Sequence, residues 1–347
     1  MSILVPRDES EFSVDLNAFR FRVEDYGPLE KFFGPARKPG GQFEYRYAQV
    51  AASLQEMTEE IISGFARRLK QITGSANLCL AGGVALNCVA MGKLLNEGPF
   101  DGVFVQPLAH DGGTALGAAL WIANTRGRDT SRFVMRDPYF GSASFSDTQI
   151  VAALTGAGVS GRRVESPART CADLVAHGNI VGWFQGGAEV GPRALGNRSI
   201  VADPRNSSTK DLINIKVKHR EYFRPFAPAE LAEEAAEWFE FRRPSLSTGF
   251  MSFAVPVRPG KRALVPAVVH VDGSARMRTV HGDVNPLFHG LISEFRALTG
   301  VPLVVNTSFN TFDGPIVHCP EDAIRTFLRT GMDAMIIGDH LVLRSSL

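Results

Sequence analysis

Apolar residues recur at helical spacing through "VAASLQEMTEEIISGFARRL" and predict one long helix from about Arg46 to Ile72. The next stretch, "NLCLAGGVALNCVAMGKLL", reads as strand, glycine turn and helix. "FDGVFVQPLAHDGGTALGAALWIA" repeats that grammar with a polar loop at its centre. Alternating strands and helices predict a parallel α/β arrangement. "NTRGRDTSRFVMRDPYFGS" breaks the pattern and marks an expected domain boundary near residue 130. Beyond it the pattern predicts a helix near Asp147–Leu154, a strand, a helix near Ala168–Ala176 and the strand "IVGWF". Further apolar strands are expected at "AVVHV" and "PLVVN". The chain closes with a helix at "PEDAIRTFLRTG" and strands at "AMIIG" and "HLVLR". Residues 1–45, rich in Phe, Pro, Gly and charge, predict an irregular crossing segment rather than core.

A length of 347 residues exceeds one ordinary core and implies two domains. The net charge of +1, with 21% charged residues, predicts neither a nucleic-acid partner nor a membrane surface, both of which want a basic excess. The opening "MSILVPRDESEF" turns acidic at once and does not read as a signal peptide. No apolar run approaches the ~20 residues that span a bilayer. Cys79, Cys88, Cys171 and Cys319 have neither zinc nor disulfide spacing, so reduced thiols and a cytoplasmic location are expected.

The chemistry concentrates in "GWFQGGAEVGPRALGNRSIVADPR", Gly182 to Arg205. It is too glycine-rich for a helix interior and reads as too polar for a core strand. It therefore predicts a loop carrying Arg193 and Arg198 between apolar runs. An arginine in a glycine loop suits phosphate, because its planar fork grips oxygens bidentately. Three later segments add Lys218, Arg220 and Arg224, then Arg276 and Arg278, then Ser308 and Asn310. These groups either line one polyanion pocket or are solvated surface residues. In "GGVALN", Gly82 and Gly83 either admit a nucleotide or serve tight strand–helix packing. Asp111, in "LAHDGG", either binds a metal or ribose hydroxyl or caps the next helix; His110 beside it reads as solvated.

In order along the chain, "LAGGVALNCVA", "GPRALGNRSIVADPR", "VKHREYFRPFAP", "HVDGSARMRTV" and "NTSFN…GPIV…PEDA" resemble the O-carbamoyltransferase family of antibiotic and nodulation-factor tailoring enzymes. The resemblance runs from about residue 30 to the C-terminus. It implies an α/β fold: a partial actin-like ATPase-type (ribonuclease H-like) domain over 1–130, followed by a YrdC-like domain over 131–347. The second domain of such enzymes makes carbamoyladenylate from ATP and carbamoyl phosphate. The first passes the carbamoyl group to a hydroxyl of a small-molecule alcohol with the help of a divalent metal, Fe2+, while Mg2+ accompanies ATP. The resemblance makes Lys218, Arg224 and Arg276 catalytic. It makes Arg193 and Ser308 contacts to ATP and carbamoyl phosphate, with Arg198 and Asn310 as further contacts. Gly82, Gly83 and Asn87 fall in the nucleotide-binding segment, and Asp111 matches an aspartate metal ligand.

The family also carries a His-x-x-x-His pair of metal ligands. This sequence holds His110, His177, His219, His270, His281, His289, His318 and His340, no two of them four apart. A partner protein supplying that half, with a shared site, is therefore expected. The alternatives are a stand-alone adenylate-forming enzyme that has lost transfer, and a non-catalytic scaffold subunit, which would show gaps in the basic set.

Overall fold

The computed structural model describes residues 4–6, 12–127, 131, 133–243, 245–312 and 314–346. The boundary expected near residue 130 falls on residues 128–130 and 132, outside the described residues. The chain divides into two compact units, residues 1–78 with 93–103, and residues 79–92 with 104–347.

In the first unit, residues 1–45 are more regular than their composition predicts. Strands β1 (Leu4–Pro6) and β2 (Phe12–Val14) form an antiparallel hairpin, and α1 (Gly27–Phe33) follows. The long predicted helix is α2 (Tyr45–Thr73). It stops at Gly74, whose φ of 63° suits glycine and whose N–H caps the Lys70 carbonyl. The strand–turn–helix grammar then appears as β3 (Asn77–Leu80), α3 (Cys88–Glu97), β4 (Gly102–Val105) and α4 (Gly113–Thr125).

The second unit is built on an eight-stranded sheet. Its strands are β5 (Arg162–Arg163), β6 (Val181–Phe184), β7 (Arg198–Ala202), β8 (Ala227–Leu231), and, beyond the hairpin of β9 (Phe253–Pro256) and β10 (Ser274–Met277), β11 (Thr279–Val280), β12 (Leu303–Ser308), β13 (Ala334–Ile337) and β14 (His340–Leu343). The order is β11-β8-β12-β7-β6-β13-β14-β5. Only β11/β8 and β13/β6 are parallel. The other five pairings are antiparallel, so this sheet is mixed, unlike the parallel arrangement expected from the strand–helix alternation before residue 130. The reason is local: β6 to β7 and β13 to β14 are joined by loops rather than by crossover helices.

Helices α5 (Asp147–Gly156), α6 (Pro167–Ala176), α7 (Ser208–Ile213), α8 (Ala235–Trp238), α9 (Pro259–Arg262), α10 (Pro286–Thr299) and α11 (Pro320–Arg329) complete the unit. Helix α6 buries Ala168, Cys171, Ala172 and Val175; α10 buries Phe288, Leu291, Ile292 and Phe295. Both sets follow i, i+3, i+4, i+7, so each helix presents one apolar stripe, and the two helices pack together. Each large apolar side chain so buried contributes about 1.5–3 kcal/mol. In β6, Trp183 turns toward Phe288 of α10, while neighbouring Gly182 lies against Phe309 and Met332.

Two further expectations are corrected. The strand expected at "IVGWF" is β6, but the loop after it does not run on to Arg205: Gln185–Asn197 is loop, and Arg198–Ala202 is the fully buried strand β7. "AVVHV" is not a strand. Ala267 and Val268 are buried as apolar residues should be, but the backbone turns, with Val268 N–H on the Val265 carbonyl and Gly273 N–H on the His270 carbonyl. Pro266 and the Asp272–Gly273 turn override the β-branched run, and the strand begins only at Ser274.

Candidate anion-binding site

The loop Gln185–Asn197 leaves the end of β6 and returns as β7, carrying Arg193 at its crest. The far end of β12 supplies Ser308, with Asn310 in the turn beyond. Helix α7 continues into a single π-turn, Asn214–Lys218, closed by His219 at φ 46°. Such turns re-aim a side chain, and this one drives Lys218 inward. Along β10 the residues alternate: Ala275 and Met277 are buried, while Ser274 and Arg276 face the other way.

These elements enclose a cavity of about 410 Å³ within the second unit. Arg193, Lys218, Arg220, Arg224 and Arg276 line it, together with Ser308 and Asn310, and among the described residues no carboxylate does. The structure thus brings together Arg193, Lys218, Arg220, Arg224, Arg276, Ser308 and Asn310 from the residues singled out in the sequence. It adds His270, Phe312 and Cys88, which the sequence reading did not select. The missed signal for His270 was the "HVDGS" turn. Its backbone N–H bonds the Ser274 carbonyl at 2.7 Å, and its Nδ1 lies 3.1 Å from Ser274 Oγ, which places the ring beside the strand of Arg276.

Crowded positive charge shapes the site. Burial lowers Arg193 to about 10, and the Arg276 guanidinium adds to the effect. Burial, then Arg224 and Arg276, lower Arg220 to about 10. Lys218 falls to about 7, through burial first and then the charges of Arg220 and Arg224. His270 is held below the ordinary histidine value chiefly by burial, with Arg276 pushing the same way. A bound polyanion would reverse the repulsive part of each shift.

The basic groups differ in their commitments. Lys218 Nζ donates to the Ser308 carbonyl at 2.6 Å, the Asn310 carbonyl at 3.0 Å and Asn310 Oδ1 at 2.7 Å, so it braces the Ser308–Asn310 turn. Arg220 is held by Asn214 Oδ1 at 2.8 Å and stacks over Phe226. Arg224 lies over Phe312. Arg276 Nε is buried without a hydrogen-bond partner among the described residues.

Six other candidates lie outside the cavity lining. Arg198 is fully buried; it donates to the carbonyls of Gln185 at 2.5 Å, Asn197 at 3.1 Å and Gly186 at 3.1 Å, and stacks 3.7 Å over Phe184. Arg278 is buried against Phe288 and donates to Tyr139 Oη and the Leu195 carbonyl. Gly82 has φ 97°, and both Gly82 and Gly83 face open space where a Cβ would stand. Asn87 accepts the Ala90 N–H at 3.2 Å, as an N-cap of α3 does. Asp111 is exposed, and no side chain caps α4. Among the described residues no group of three or more His, Cys, Asp or Glu is placed to hold a metal. The described residues of this chain alone therefore do not fit the divalent ion that the resemblance implies. No helix among the described residues is long and apolar enough to cross a membrane.

Residues 17–120 match the model "Carbamoyltransferase N-terminus", and residues 172–344 match "Carbamoyltransferase C-terminus". Nodulation protein NolNO of Sinorhizobium fredii is 44% identical over 331 residues, 95% of this chain and 49% of that protein. Nodulation protein NolO of Bradyrhizobium diazoefficiens is 43% identical, over 95% of this chain and 60% of that protein. The 3'-hydroxymethylcephem-O-carbamoyltransferase of Streptomyces clavuligerus is 32% identical, over 85% of this chain and 54% of its own length. The chain thus spans about half the length of the curated relatives it matches. Among solved structures, full-length HypF in its phosphate- and nucleotide-bound form aligns at a TM-score of 0.39 with 16% identity, covering 53% of this chain and 23% of that one, too distant a likeness to carry an argument about function.

Proposed function

Since the chain belongs to the carbamoyltransferase family, we propose that it is part of an ATP-dependent O-carbamoyltransferase and that the basic cavity is where carbamoyl phosphate and ATP form carbamoyladenylate. The carrying observation is the cavity itself: five basic side chains and, among the described residues, no carboxylate. An empty site of that composition is repulsive, and phosphate groups are the ligands that relieve it. Arg193 and Arg276, which make no side-chain hydrogen bond among the described residues, grip phosphate oxygens. Arg224 stands at the exposed rim, and Lys218 fixes Ser308 and Asn310 so that their polar groups face the same space. Fixed cations stabilise charge as it moves onto the departing phosphates.

On this reading residues 131–347 form the YrdC-like adenylate-forming domain and residues 1–130 belong to the actin-like transfer domain. The metal-holding pair and most acceptor contacts lie in sequence outside these 347 residues, in a partner chain as the missing histidine pair suggests. The exposure of Leu120, Trp121 and Ile122 on α4, which buries none of its residues, supports a covering surface there. A scaffold role is disfavoured because the basic set has no gap.

The test is ³¹P NMR of the chain with ATP, Mg2+ and carbamoyl phosphate. Pyrophosphate and phosphate should accumulate together, and only when all three are present. Release of ADP without pyrophosphate would overturn the reading.

A further inference from the structure

Within the Arg193 loop one acidic side chain, Glu189, has no part in the cavity lining. Its Oε1 accepts three backbone N–H groups from the far side of the same loop, those of Leu195 at 2.7 Å, Asn197 at 2.8 Å and Arg198 at 3.1 Å. Hydrogen bonds to an ionised acceptor are among the stronger ones, and three on one oxygen fix its position. The loop therefore closes on itself, with Arg193 on the short arc between Glu189 and Leu195.

That arc needs holding. Arg193 and Arg276 repel each other across the cavity, and among the described residues no carboxylate in the cavity lining offsets them. Without an anchor outside the cavity, the loop would relax by swinging Arg193 toward solvent. We propose that Glu189 is a positioning residue: its carboxylate clasps the loop shut and so holds the Arg193 guanidinium in the anion cavity before any phosphate arrives. The proposal rests on the reading of that cavity as a phosphate site.

The surroundings serve the clasp. Tyr139 Oη donates to the Leu195 carbonyl at 2.6 Å, Trp183 Nε1 to the Gly196 carbonyl at 2.9 Å, and Asn197 Nδ2 to the Gly187 carbonyl at 2.8 Å. The buried guanidiniums of Arg198 and Arg278 both feel the Glu189 charge, which compensates the burial of all three. Gly191, at φ 105°, packs so close to the Pro107 carbonyl that a Cβ would lie 2.6 Å from it, so the arc has no room to shift in that direction.

The experiment uses the full chain, inorganic pyrophosphate as the probe, and two readouts: calorimetric affinity, and hydrogen exchange of the Trp183 indole N–H by ¹⁵N NMR. Glu189→Ala should weaken pyrophosphate at least tenfold and speed indole exchange by a similar factor. Glu189→Gln keeps an oxygen acceptor and should recover most of both. Glu189→Ala combined with Arg193→Ala should bind no worse than Arg193→Ala alone, since both remove the same contact. Affinity within twofold of wild type in Glu189→Ala, or strictly additive losses in the double variant, would overturn the proposal. Indole exchange unchanged in Glu189→Ala would overturn it even if affinity fell. Wild-type protein that ignores pyrophosphate would refute the phosphate reading instead, and Trp183 exchange would still judge the clasp.

Discussion

Arg193 in the loop and Arg198 at the start of β7 stand five residues apart, in the same glycine-rich stretch, and do opposite work. Arg198 is sealed in the sheet, with both terminal nitrogens of its guanidinium bonded to backbone carbonyls, Nε without a partner among the described residues, and the group stacked on Phe184. Arg193 is half-buried in a cavity shared with four other basic groups and has no ion pair among the described residues. A buried arginine is tolerated when carbonyls and an aromatic face replace its water. A cavity arginine without such partners is poised for a ligand that supplies them. The lesson is that an arginine's role follows from what meets its five N–H groups, a property the local sequence does not display.

The comparison breaks most visibly through stability. Arg198→Ala strands several buried carbonyls, each costing about 1–3 kcal/mol, so urea unfolding should show a loss of about 3 kcal/mol or more. Arg193→Ala should stay within about 0.5 kcal/mol of wild type in the same measurement. Equal losses would erase the distinction.

Ligand binding gives the converse. Arg276→Ala should weaken pyrophosphate at least tenfold by calorimetry, since a charge-assisted contact contributes about 1.5–3 kcal/mol. It should leave the urea midpoint nearly unchanged.

The pH dependence of Lys218 sharpens the picture next. Its folded value of about 7 lies far below the about 10.4 of an unfolded lysine. Between those values the unfolded chain binds the extra proton, so Lys218 makes stability rise with pH across that window. Lys218→Met should remove that rise. Pyrophosphate affinity should move the other way in wild type, falling as pH passes 7 and the ammonium is lost.

The smallest effect is expected at Tyr139→Phe, which removes the donor to the Leu195 carbonyl. About 1 kcal/mol of stability should go, with pyrophosphate affinity changed less than threefold.

The legible parts of the molecule were those where pattern and packing agree. Helix α2, strands β6, β12, β13 and β14, and helices α6 and α11 carry runs whose period matches their structure. Strands β7 and β8 were hidden because Arg198, Ser199 and Glu230 sit inside them, and a polar residue reads as surface until its buried partners are known. Pro228 obscured β8 as well. It is placed where β8 pairs with β12 but β11 has not yet begun, so its missing N–H leaves no ladder bond open on that side. "AVVHV" misled in the other direction, because Ala267 and Val268 are buried from a turn. In the site, motif spacing found seven cavity residues. It could not separate Arg193 from Arg198, nor see that Lys218 braces a turn, because both depend on contacts made across more than a hundred residues or by backbone carbonyls.

The most direct test of the central claim is isotope exchange between labelled pyrophosphate and ATP, with carbamoyl phosphate present or absent. If the basic cavity forms carbamoyladenylate, wild-type chain exchanges label only with carbamoyl phosphate present, and Arg276→Ala loses at least tenfold of that rate while keeping its fold. Exchange that ignores carbamoyl phosphate, or that survives Arg276→Ala undiminished, would contradict the account.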